Sequence, residues 1–247
     1  MFPATPSDAI RPRRKPRRLR TILTEARLER RWRANAWQGR FDYDWSAIPY
    51  NRIALVNLLL SGRPQARYLE IGCAGDELFR AVMAPVKIGV DPARGGTHRM
   101  TSDAFFASWE GEGFDVIFVD GLHLYDQVRR DLVNALKWLK PGGWIALHDM
   151  LPRDWKEEHV PQIQSRGWTG DGWKCAFEIA ATPGLSSRLI AMDHGISVVR
   201  PREPGCLLAD RRAELADRRF AFLEARRDEL PLVEWAEGLD WIRTGGV

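Results

Sequence analysis

The stretch Tyr68-Leu-Glu-Ile-Gly-Cys-Ala-Gly-Asp76 decides the fold of this chain. Its apolar beginning is short enough for a buried strand, and Glu70 comes just ahead of a turn that contains Gly72 and Gly75. An apolar run at helical spacing follows over residues 78–83. Strand, glycine turn and helix in this order bring backbone N–H groups close to a nucleotide-like ligand in parallel α/β domains. Turns of this kind also join strands to helices where no ligand binds.

Three further apolar segments repeat the pattern of a buried strand that ends in a polar residue. Val86-Lys-Ile-Gly-Val90 ends at Asp91, Phe114-Asp-Val-Ile-Phe-Val119 ends at Asp120, and Trp144-Ile-Ala-Leu147 ends at His148. Helical patterns separate these segments, which predicts a mainly parallel sheet with helices on both faces. Two later segments, residues 187–192 and 195–200, predict a β-hairpin through Asp193-His194-Gly195.

The predicted strand ends indicate a ligand site. In open parallel sheets, ligands bind beyond the carboxyl ends of the strands. One polar strand end is common anywhere, whereas four at one edge suggest a site. The polar residues at these ends are Glu70, Asp91, Asp120 with His123, and His148 with Asp149.

The spacing of Glu70 and Asp91 bears on the ligand. Asp91 lies 21 positions beyond Glu70, about the distance at which a dinucleotide-type fold places a carboxylate for ribose hydroxyls. An Asp before Pro is also a common turn residue. A nicotinamide fingerprint G-x-G-x-x-G that starts at Gly72 would need glycine at positions 74 and 77, where this chain has Ala74 and Glu77. The pattern therefore argues against a nicotinamide enzyme.

Taken together, the motifs of residues 50–200 resemble those of the class I S-adenosylmethionine-dependent methyltransferases. The segments that carry the resemblance are Leu69-Glu-Ile-Gly-Cys-Ala-Gly75, Gly89-Val-Asp91, Thr101-Ser-Asp103, Phe114–Asp120 and Leu139-Lys-Pro-Gly-Gly143. The resemblance implies an α/β Rossmann-like, doubly wound fold. We expect a mainly parallel seven-stranded sheet with a C-terminal antiparallel hairpin strand, and helical extensions at both ends.

The resemblance also implies the residues that bind S-adenosylmethionine. Glu70, Gly72 and Gly75 would line the methionine end, Asp91 the ribose, and Ser102 with Asp103 the adenine. Asp120 would also lie against the cofactor.

Within this superfamily, Asp120-Gly-Leu-His123 and His148-Asp149 resemble the macrocin and mycinamicin type of O-methyltransferase, which acts on sugar hydroxyls. The resemblance implies a magnesium ion held by Asp120, His148 and Asp149, with His123 as the base. This chain departs at His148, where that subgroup has an acidic residue, and magnesium prefers oxygen ligands.

The chemistry explains why a base is expected. A sulfonium methyl group is already activated, so the enzyme must align a nucleophile and help to remove its proton. A hydroxyl at neutral pH needs either a base or a metal that lowers its pKa. His123 has a suitable intrinsic pKa, although a histidine at this point could also only cap a helix. The predicted reaction is methylation of a hydroxyl of a sugar or other small molecule, with His123 and Asp120 as catalytic residues.

Charge divides the chain into three parts. Residues 1–40 hold twelve Lys and Arg against three acidic residues, a net charge of +9, so the remaining chain carries −5 of the total of +4. The predicted organisation is a basic extension over residues 1–40, a methyltransferase domain over 41–202 and a helical extension over 203–247. The basic run Arg11–Arg18 predicts a solvated tail, with nucleic acid or an anionic membrane as alternative partners. Helices at both ends could pair subunits.

Further sequence features limit where the protein is expected in the cell and which partners it is expected to have. Three unpatterned cysteines, no apolar signal core and no long apolar run predict a cytoplasmic protein without a transmembrane segment. The segment 150–174 carries three tryptophans (Trp155, Trp168 and Trp173) and predicts a lid, whose tryptophans either stack on a sugar or form the lid's own core. The alternatives to small-molecule methylation are an RNA hydroxyl methyltransferase and a non-catalytic binding protein. Nucleic acid is disfavoured because Asp-Gly-Leu-His replaces the Asp/Asn-Pro-Pro-aromatic motif of amino-methylating enzymes.

Overall fold

The computed structural model describes residues 19–246, and within them seven strands form a single sheet. The sheet order is β2-β1-β3-β4-β6-β5-β7. The strands are β1 (Arg67–Ile71), β2 (Val86–Val90), β3 (Phe114–Val119), β4 (Leu139–Leu147), β5 (Leu185–Ala191), β6 (Ile196–Pro201) and β7 (Leu232–Glu234).

Strand direction follows the predicted pattern. β1 pairs in parallel with β2 and β3, β3 pairs in parallel with β4, and β7 pairs in parallel with β5. β6 pairs antiparallel with both β4 and β5, and the β5–β6 hairpin turns at residues 192–195. The predicted α/β Rossmann-like, mainly parallel seven-stranded sheet with its antiparallel hairpin strand is confirmed.

Helices cover both faces of the sheet, and the central strand β3 shows why. Val116 and Phe118 point into one apolar core, whereas Ile117 and Val119 point into the other, as the period of two in a strand requires. The helices are α1 (Leu19–Arg31), α2 (Arg52–Leu60), α3 (Glu77–Ala81), α4 (Ser102–Ser108), α5 (Tyr125–Trp138), α6 (Trp155–Glu158), α7 (Lys174–Ala180), α8 (Arg212–Leu215), α9 (Phe220–Ala225) and α10 (Trp235–Arg243).

Two elements differ from the sequence-based expectation. β4 begins at Leu139, not at Trp144, and its pairing with β3 shifts register between Phe114 and Val116. The Pro-Gly-Gly segment 141–143 therefore lies within an irregular strand. Strand β7 interrupts the C-terminal segment for which only helices were expected. Its three residues extend the sheet beside β5, so the C-terminal extension is joined to the main sheet by backbone pairing.

The N-terminal extension contains one α-helix within the described residues. α1 ends at Arg31 and is followed by a single 3-10 turn over residues 33–35. The basic run Arg11–Arg18 lies outside the described residues. Among the helices of residues 19–246, none combines the length and apolar character needed to span a membrane.

Candidate active site at the carboxyl ends of the strands

A cavity of about 670 Å³ opens at the carboxyl ends of β1, β2, β3 and β4. Its size lies within the range of typical small-molecule sites, roughly 300–1,000 Å³. The predicted site residues that line it are Gly72, Asp91, Ser102, Asp120, His123, His148 and Asp149. Three residues expected at the cofactor, Glu70, Gly75 and Asp103, are absent from its described lining.

The turn after β1 brings two strand ends together. Gly72 has a φ of +89°, and a Cβ there would lie 2.0 Å from the carbonyl oxygen of Asp120. Glycine is therefore required for the approach of the chain after β1 to the end of β3. Gly75 differs, because a Cβ there would meet no atom within 4 Å and its φ is not left-handed. Besides Gly72, the residues of this turn with a left-handed φ are Ala74 and Asp76.

Asp91, which follows β2, forms the predicted ribose end of the cavity. Its carboxylate accepts hydrogen bonds from the backbone N–H groups of Ala74 (2.9 Å), Ala93 (2.8 Å) and Arg94 (2.8 Å). Burial acts to raise the pKa of Asp91, but these backbone hydrogen bonds outweigh it and lower the pKa. A carboxylate has about four acceptor positions, so roughly one remains for a ligand hydroxyl.

Glu70 lies beneath the cavity and not in its wall. Its side chain is buried and accepts a hydrogen bond of 2.6 Å from the Tyr68 hydroxyl. Burial raises the pKa of Glu70 to about 7, despite the opposing effect of this hydrogen bond. Glu70 is the second-last residue of β1 and lies two positions after Tyr68, so both side chains point to the same face of the sheet.

Ser102 and Asp103, the two residues predicted to bind adenine, lie in different surroundings at the start of α4. Ser102 is buried, lines the cavity and accepts a hydrogen bond of 3.1 Å from Gln127. Asp103 is half exposed and pairs with Arg130 at 3.4 Å outside the cavity. Gln127 also lines the cavity and was not identified from the sequence. Gln127 is the third residue of α5, and no sequence motif there indicated that it would line a ligand site.

Four side chains from the ends of β3 and β4 form a compact polar cluster. Nδ1 of His148 lies 3.2 Å from Oδ1 of Asp120 and 3.4 Å from Oδ1 of Asp149. Nε2 of His123 lies 3.3 Å from Oδ1 of Asp120, and its Nδ1 lies 3.0 Å from Oδ2 of Asp149. The structure therefore brings together the residues that the sequence placed at the ends of two neighbouring strands.

The carboxylates shift the pKa values of both imidazoles upward. Burial acts to lower the pKa of His123, but its contact with Asp120 and the charge of Asp149 outweigh burial and raise it. The same opposition holds for His148, whose pKa rises well above its ordinary value because Asp120 and Asp149 outweigh burial. Burial acts to raise the pKa of Asp120, whereas the charge of His148 and contacts with both histidines hold it well below its usual range.

The β5–β6 turn adds two residues that sequence analysis assigned only to a hairpin. Asp193 accepts hydrogen bonds from the backbone N–H (2.9 Å) and the guanidinium (3.1 Å) of Arg52, and its Oδ1 lies 3.5 Å from Nε2 of His148. His194 lines the cavity. The backbone N–H of Leu151 donates to the carbonyl of His194 at 2.8 Å, which holds this turn against the chain after β4.

The tryptophans of segment 150–174 lie in two different environments. Trp155 and Trp173 are buried in the core. The ring of Trp168 lines the cavity and stacks on His123, with ring centroids 5.5 Å apart and an interplanar angle of 14°. The backbone N–H of Asp171 also donates to the carbonyl of His123 at 3.1 Å. The segment is therefore anchored directly over His123.

Two carboxylates and two imidazoles are the donors that a magnesium ion would meet at this site. Of the three residues implied as its ligands, Asp120 and Asp149 supply oxygen atoms, but His148 supplies nitrogen, and its Nδ1 hydrogen-bonds Asp120. A nitrogen that donates a hydrogen bond has no lone pair for a metal. A second arrangement, Asp120, His123 and Asp149, has ligand atoms within 4.8 Å of one another. It offers two carboxylates, and magnesium is commonly held by one or two carboxylates with water molecules as its other ligands.

Strand β6 runs antiparallel between β4 and β5, and the cavity lies over the ends of β1 to β4. Residues 66–150, about a third of the chain, match the family model described as a methyltransferase domain. Over these residues the chain is similar to a methyltransferase domain. The matched segment runs from the start of β1 to just past His148 and Asp149, so it includes most of the cavity wall.

Several solved structures are similar to this chain at low identity. An O-methyltransferase from Bacillus cereus in complex with S-adenosylhomocysteine is 19% identical, with 70% of this chain and 90% of that chain covered and a TM-score of 0.44. A putative O-methyltransferase from Klebsiella pneumoniae is 18% identical, with coverage of 76% and 92% and a TM-score of 0.48. The MycE methyltransferase of the mycinamycin biosynthetic pathway, in complex with Mg, S-adenosylhomocysteine and mycinamycin VI, is 16% identical, with coverage of 74% and 55% and a TM-score of 0.40. A comparison with curated protein sequences finds no match.

Proposed function

We propose that this protein transfers the methyl group of S-adenosylmethionine to a hydroxyl of a small-molecule acceptor, with His123 as the general base. The observation that carries the proposal is the single cavity that joins Asp91 at one end to His123 at the other. The first residue suits a ribose, and the second suits a hydroxyl that must lose a proton.

The cofactor half of the cavity follows from the glycine turn and Asp91. Backbone hydrogen bonds fix the Asp91 carboxylate and keep it ionised, so it can accept from a ribose hydroxyl without rearrangement. The buried Ser102 and its partner Gln127 supply polar groups in the same wall. When S-adenosylmethionine is bound, its sulfonium supplies an activated methyl group.

The acceptor half is formed by the cluster at the ends of β3 and β4. His123 lines the cavity, with about a fifth of its side chain exposed, so an acceptor hydroxyl can reach its ring. Asp149 lies at Nδ1 and Trp168 stacks on the ring face, and these contacts hold the imidazole in one orientation. A positioned base of this kind contributes roughly 10²–10⁴-fold in rate.

The proton balance assigns different roles to the two catalytic candidates. As the carbon–sulfur bond breaks and the carbon–oxygen bond forms, the hydroxyl proton passes to His123. Asp120 has a pKa well below its usual range, so it stays ionised and is a weak base. Asp149 holds the Nδ1 side of His123, so Nε2 is the atom that receives the proton. Asp120 then faces the protonated Nε2 and positions His148 through its Oδ1 atom, as a positioning residue.

The direct test measures cofactor binding before any acceptor is known. Calorimetric titration of the protein with S-adenosylmethionine and S-adenosylhomocysteine should show one site each, and NAD should show none. A screen of hydroxyl-bearing sugars and other small molecules, followed by detection of S-adenosylhomocysteine, then identifies the acceptor. Absence of binding by both S-adenosyl compounds would overturn the proposed function.

A further inference from the structure

We propose that the acceptor carries a phosphate or carboxylate group, and that a second cavity beside the first binds this group. Three arginines, Arg40, Arg153 and Arg166, lie in the wall of this second cavity, the arginine cavity. The inference deepens the proposed function and rests on it for the hydroxyl that is methylated.

The arginine cavity adjoins the cavity that contains His123. Its volume is about 650 Å³, and both cavities are lined by Gly167 and His194. Gly167 comes directly before Trp168, whose ring stacks on His123 with the centroids 5.5 Å apart. A Cβ added at Gly167 would lie 3.6 Å from Nη2 of Arg153. Gly167 therefore lies beside both a guanidinium and the aromatic partner of the base, so one acceptor can extend from the first cavity into the second.

The described lining of the arginine cavity is polar throughout. Besides the arginines and the two shared residues, it consists of Asp154, Glu157 and Gln164. Three guanidinium groups stand against two carboxylates, so positive charge is in excess. An apolar group would gain little there, because polar side chains that lose water without a new partner are costly. The lining therefore favours a negatively charged occupant that accepts several hydrogen bonds.

Both carboxylates of the lining are already hydrogen-bonded within the chain. Asp154 precedes α6 and accepts from the backbone N–H groups of Lys156 (2.9 Å) and Glu157 (3.1 Å). Glu157 is buried, and it accepts from the backbone N–H of Arg153 at 2.8 Å and from Nε of the same residue at 3.0 Å. These contacts hold the two carboxylates in place, and the arginines supply the charged donors for a ligand.

Two of the arginines keep donors for an oxyanion. Arg153 uses Nε and Nη2 for Glu157, and within residues 19–246 its Nη1 has no hydrogen-bond partner. The side chain of Arg40 makes no hydrogen bond or ion pair in the part of the chain that the structure describes. The N–H of Phe41 donates to the carbonyl of Arg153 at 2.8 Å, which keeps Arg40 beside Arg153. Guanidinium groups bind phosphate and carboxylate oxygens through paired hydrogen bonds.

An anionic group held in the arginine cavity fixes one end of the acceptor. The hydroxyl at the other end is then restricted to a small region near His123. Such anchoring uses binding at a remote group to align the reacting atoms. The hydroxyl loses its proton to His123 as its oxygen takes the methyl group from the sulfonium, and the anionic group is unchanged by the reaction.

The first experiment needs no acceptor and no cofactor. The protein is titrated by calorimetry with inorganic phosphate and, separately, with acetate at low ionic strength. We expect one site, which the double variant R40Q/R166Q loses and the control R243Q retains, because Arg243 pairs with Asp240 on α10. Thermal unfolding checks that the variants are folded. Absence of binding by both anions, or equal binding by folded R40Q/R166Q, would overturn the inference.

The second experiment compares matched acceptors. Each hydroxyl-bearing sugar is tested beside its phosphate ester and its uronic acid, with detection of S-adenosylhomocysteine. One of the two charged forms should have the highest kcat/KM, and which of them it is distinguishes a phosphate from a carboxylate. A neutral sugar methylated in preference to both of its charged forms would overturn the inference.

The double variant should lose only the advantage of the charged acceptor. We expect R40Q/R166Q to lower kcat/KM for that acceptor by roughly 10- to 100-fold, as for the loss of hydrogen bonds to a charged group. Its kcat/KM for the uncharged sugar and its affinity for S-adenosylmethionine should stay near those of wild type, as should all three values in R243Q. An equal loss for charged and uncharged acceptors would contradict a specific role for the arginines.

Failure of this inference and failure of the proposed function are distinguishable. If the protein binds neither S-adenosyl compound, the proposed function fails, while the phosphate and acetate titrations still decide whether the arginine cavity binds an oxyanion. If an uncharged acceptor is methylated equally well by wild type and R40Q/R166Q and no charged form is preferred, the proposed function stands and the inference is overturned.

Discussion

Oδ1 of Asp120 lies within 3.3 Å of two imidazoles, at 3.2 Å from Nδ1 of His148 and 3.3 Å from Nε2 of His123. The two histidines differ in burial, because 6% of the His148 side chain and 21% of the His123 side chain are exposed. The buried ring suits a fixed charge, whereas the accessible ring suits proton exchange with an acceptor. The predictions below separate these roles.

Removing the Asp91 carboxylate should weaken cofactor binding. We expect D91N to reduce the affinity for S-adenosylmethionine by about 10- to 100-fold, since a hydrogen bond to a charged group contributes roughly 1.5–3 kcal/mol. Calorimetry gives the affinity, and thermal unfolding shows whether the loss of backbone hydrogen bonds has also destabilised the turn. The matched control is D240N, because Asp240 is an exposed carboxylate on α10 that pairs with Arg243 and is absent from the described cavity lining. Equal losses in both variants would contradict the assigned position of the ribose.

Replacing the base should slow turnover without releasing the cofactor. We expect H123Q to lower kcat by roughly 10²–10⁴-fold while the affinity for S-adenosylmethionine stays near that of wild type. H98Q is the control, because His98 packs against Phe105 and Trp109 and is absent from the described cavity lining. A kcat of H123Q close to that of wild type would remove His123 as the base.

The pH dependence of turnover should follow the raised pKa of both imidazoles. A base acts only when it is neutral, and His123 has a pKa above its ordinary 6.5, so the rate should rise with pH above 6.5. The pKa of His148 is also raised, so this buried ring loses its charge beside Asp120 only at higher pH. A pH–rate profile with an ascending limb centred below 6.5 would contradict the assignment.

Stability should depend on the charge of His148 with a defined sign. Because its folded-state pKa is raised, its contribution to the free energy of unfolding is fully present below pH 6.5 and is lost as pH rises through the folded-state pKa. Urea unfolding at several pH values should therefore show wild-type stability falling on the alkaline side. H148Q should lack this part of the pH dependence. If the free energy of unfolding falls equally with pH in wild type and H148Q, His148 is not the source of the pH dependence.

The two glycines of the first turn should respond differently to alanine. G72A places a Cβ 2.0 Å from the Asp120 carbonyl at a left-handed φ, so we expect a loss of roughly 2–4 kcal/mol in the free energy of unfolding. G75A meets no atom within 4 Å and should leave stability within about 0.5 kcal/mol of wild type. Chemical denaturation measures both. Weaker S-adenosylmethionine binding by stable G75A would support the predicted role of Gly75 at the methionine end.

Much of the fold could be read from local patterns. Alternating strands and helices, the glycine turn after β1 and the hairpin through residues 193–195 all depend on neighbours close in sequence, and the structure confirms them. Strand β7 was missed because a three-residue strand carries little periodicity, and its pairing with β5 spans more than forty residues. The start of β4 at Leu139 was not predicted, because Pro141 and the two glycines after it are typical of a turn and not of a strand.

The sequence by itself determined which polar residues end the central strands, because a period of two and an abrupt change from apolar to charged residues are local properties. Only the tertiary structure decided what those residues contact. It turned Glu70 toward Tyr68 beneath the cavity, and it brought Asp193 from the hairpin turn to His148. The physical reason is that hydrogen-bond partners depend on distances of a few ångströms between separate strands, which packing of the whole sheet sets and no local pattern encodes.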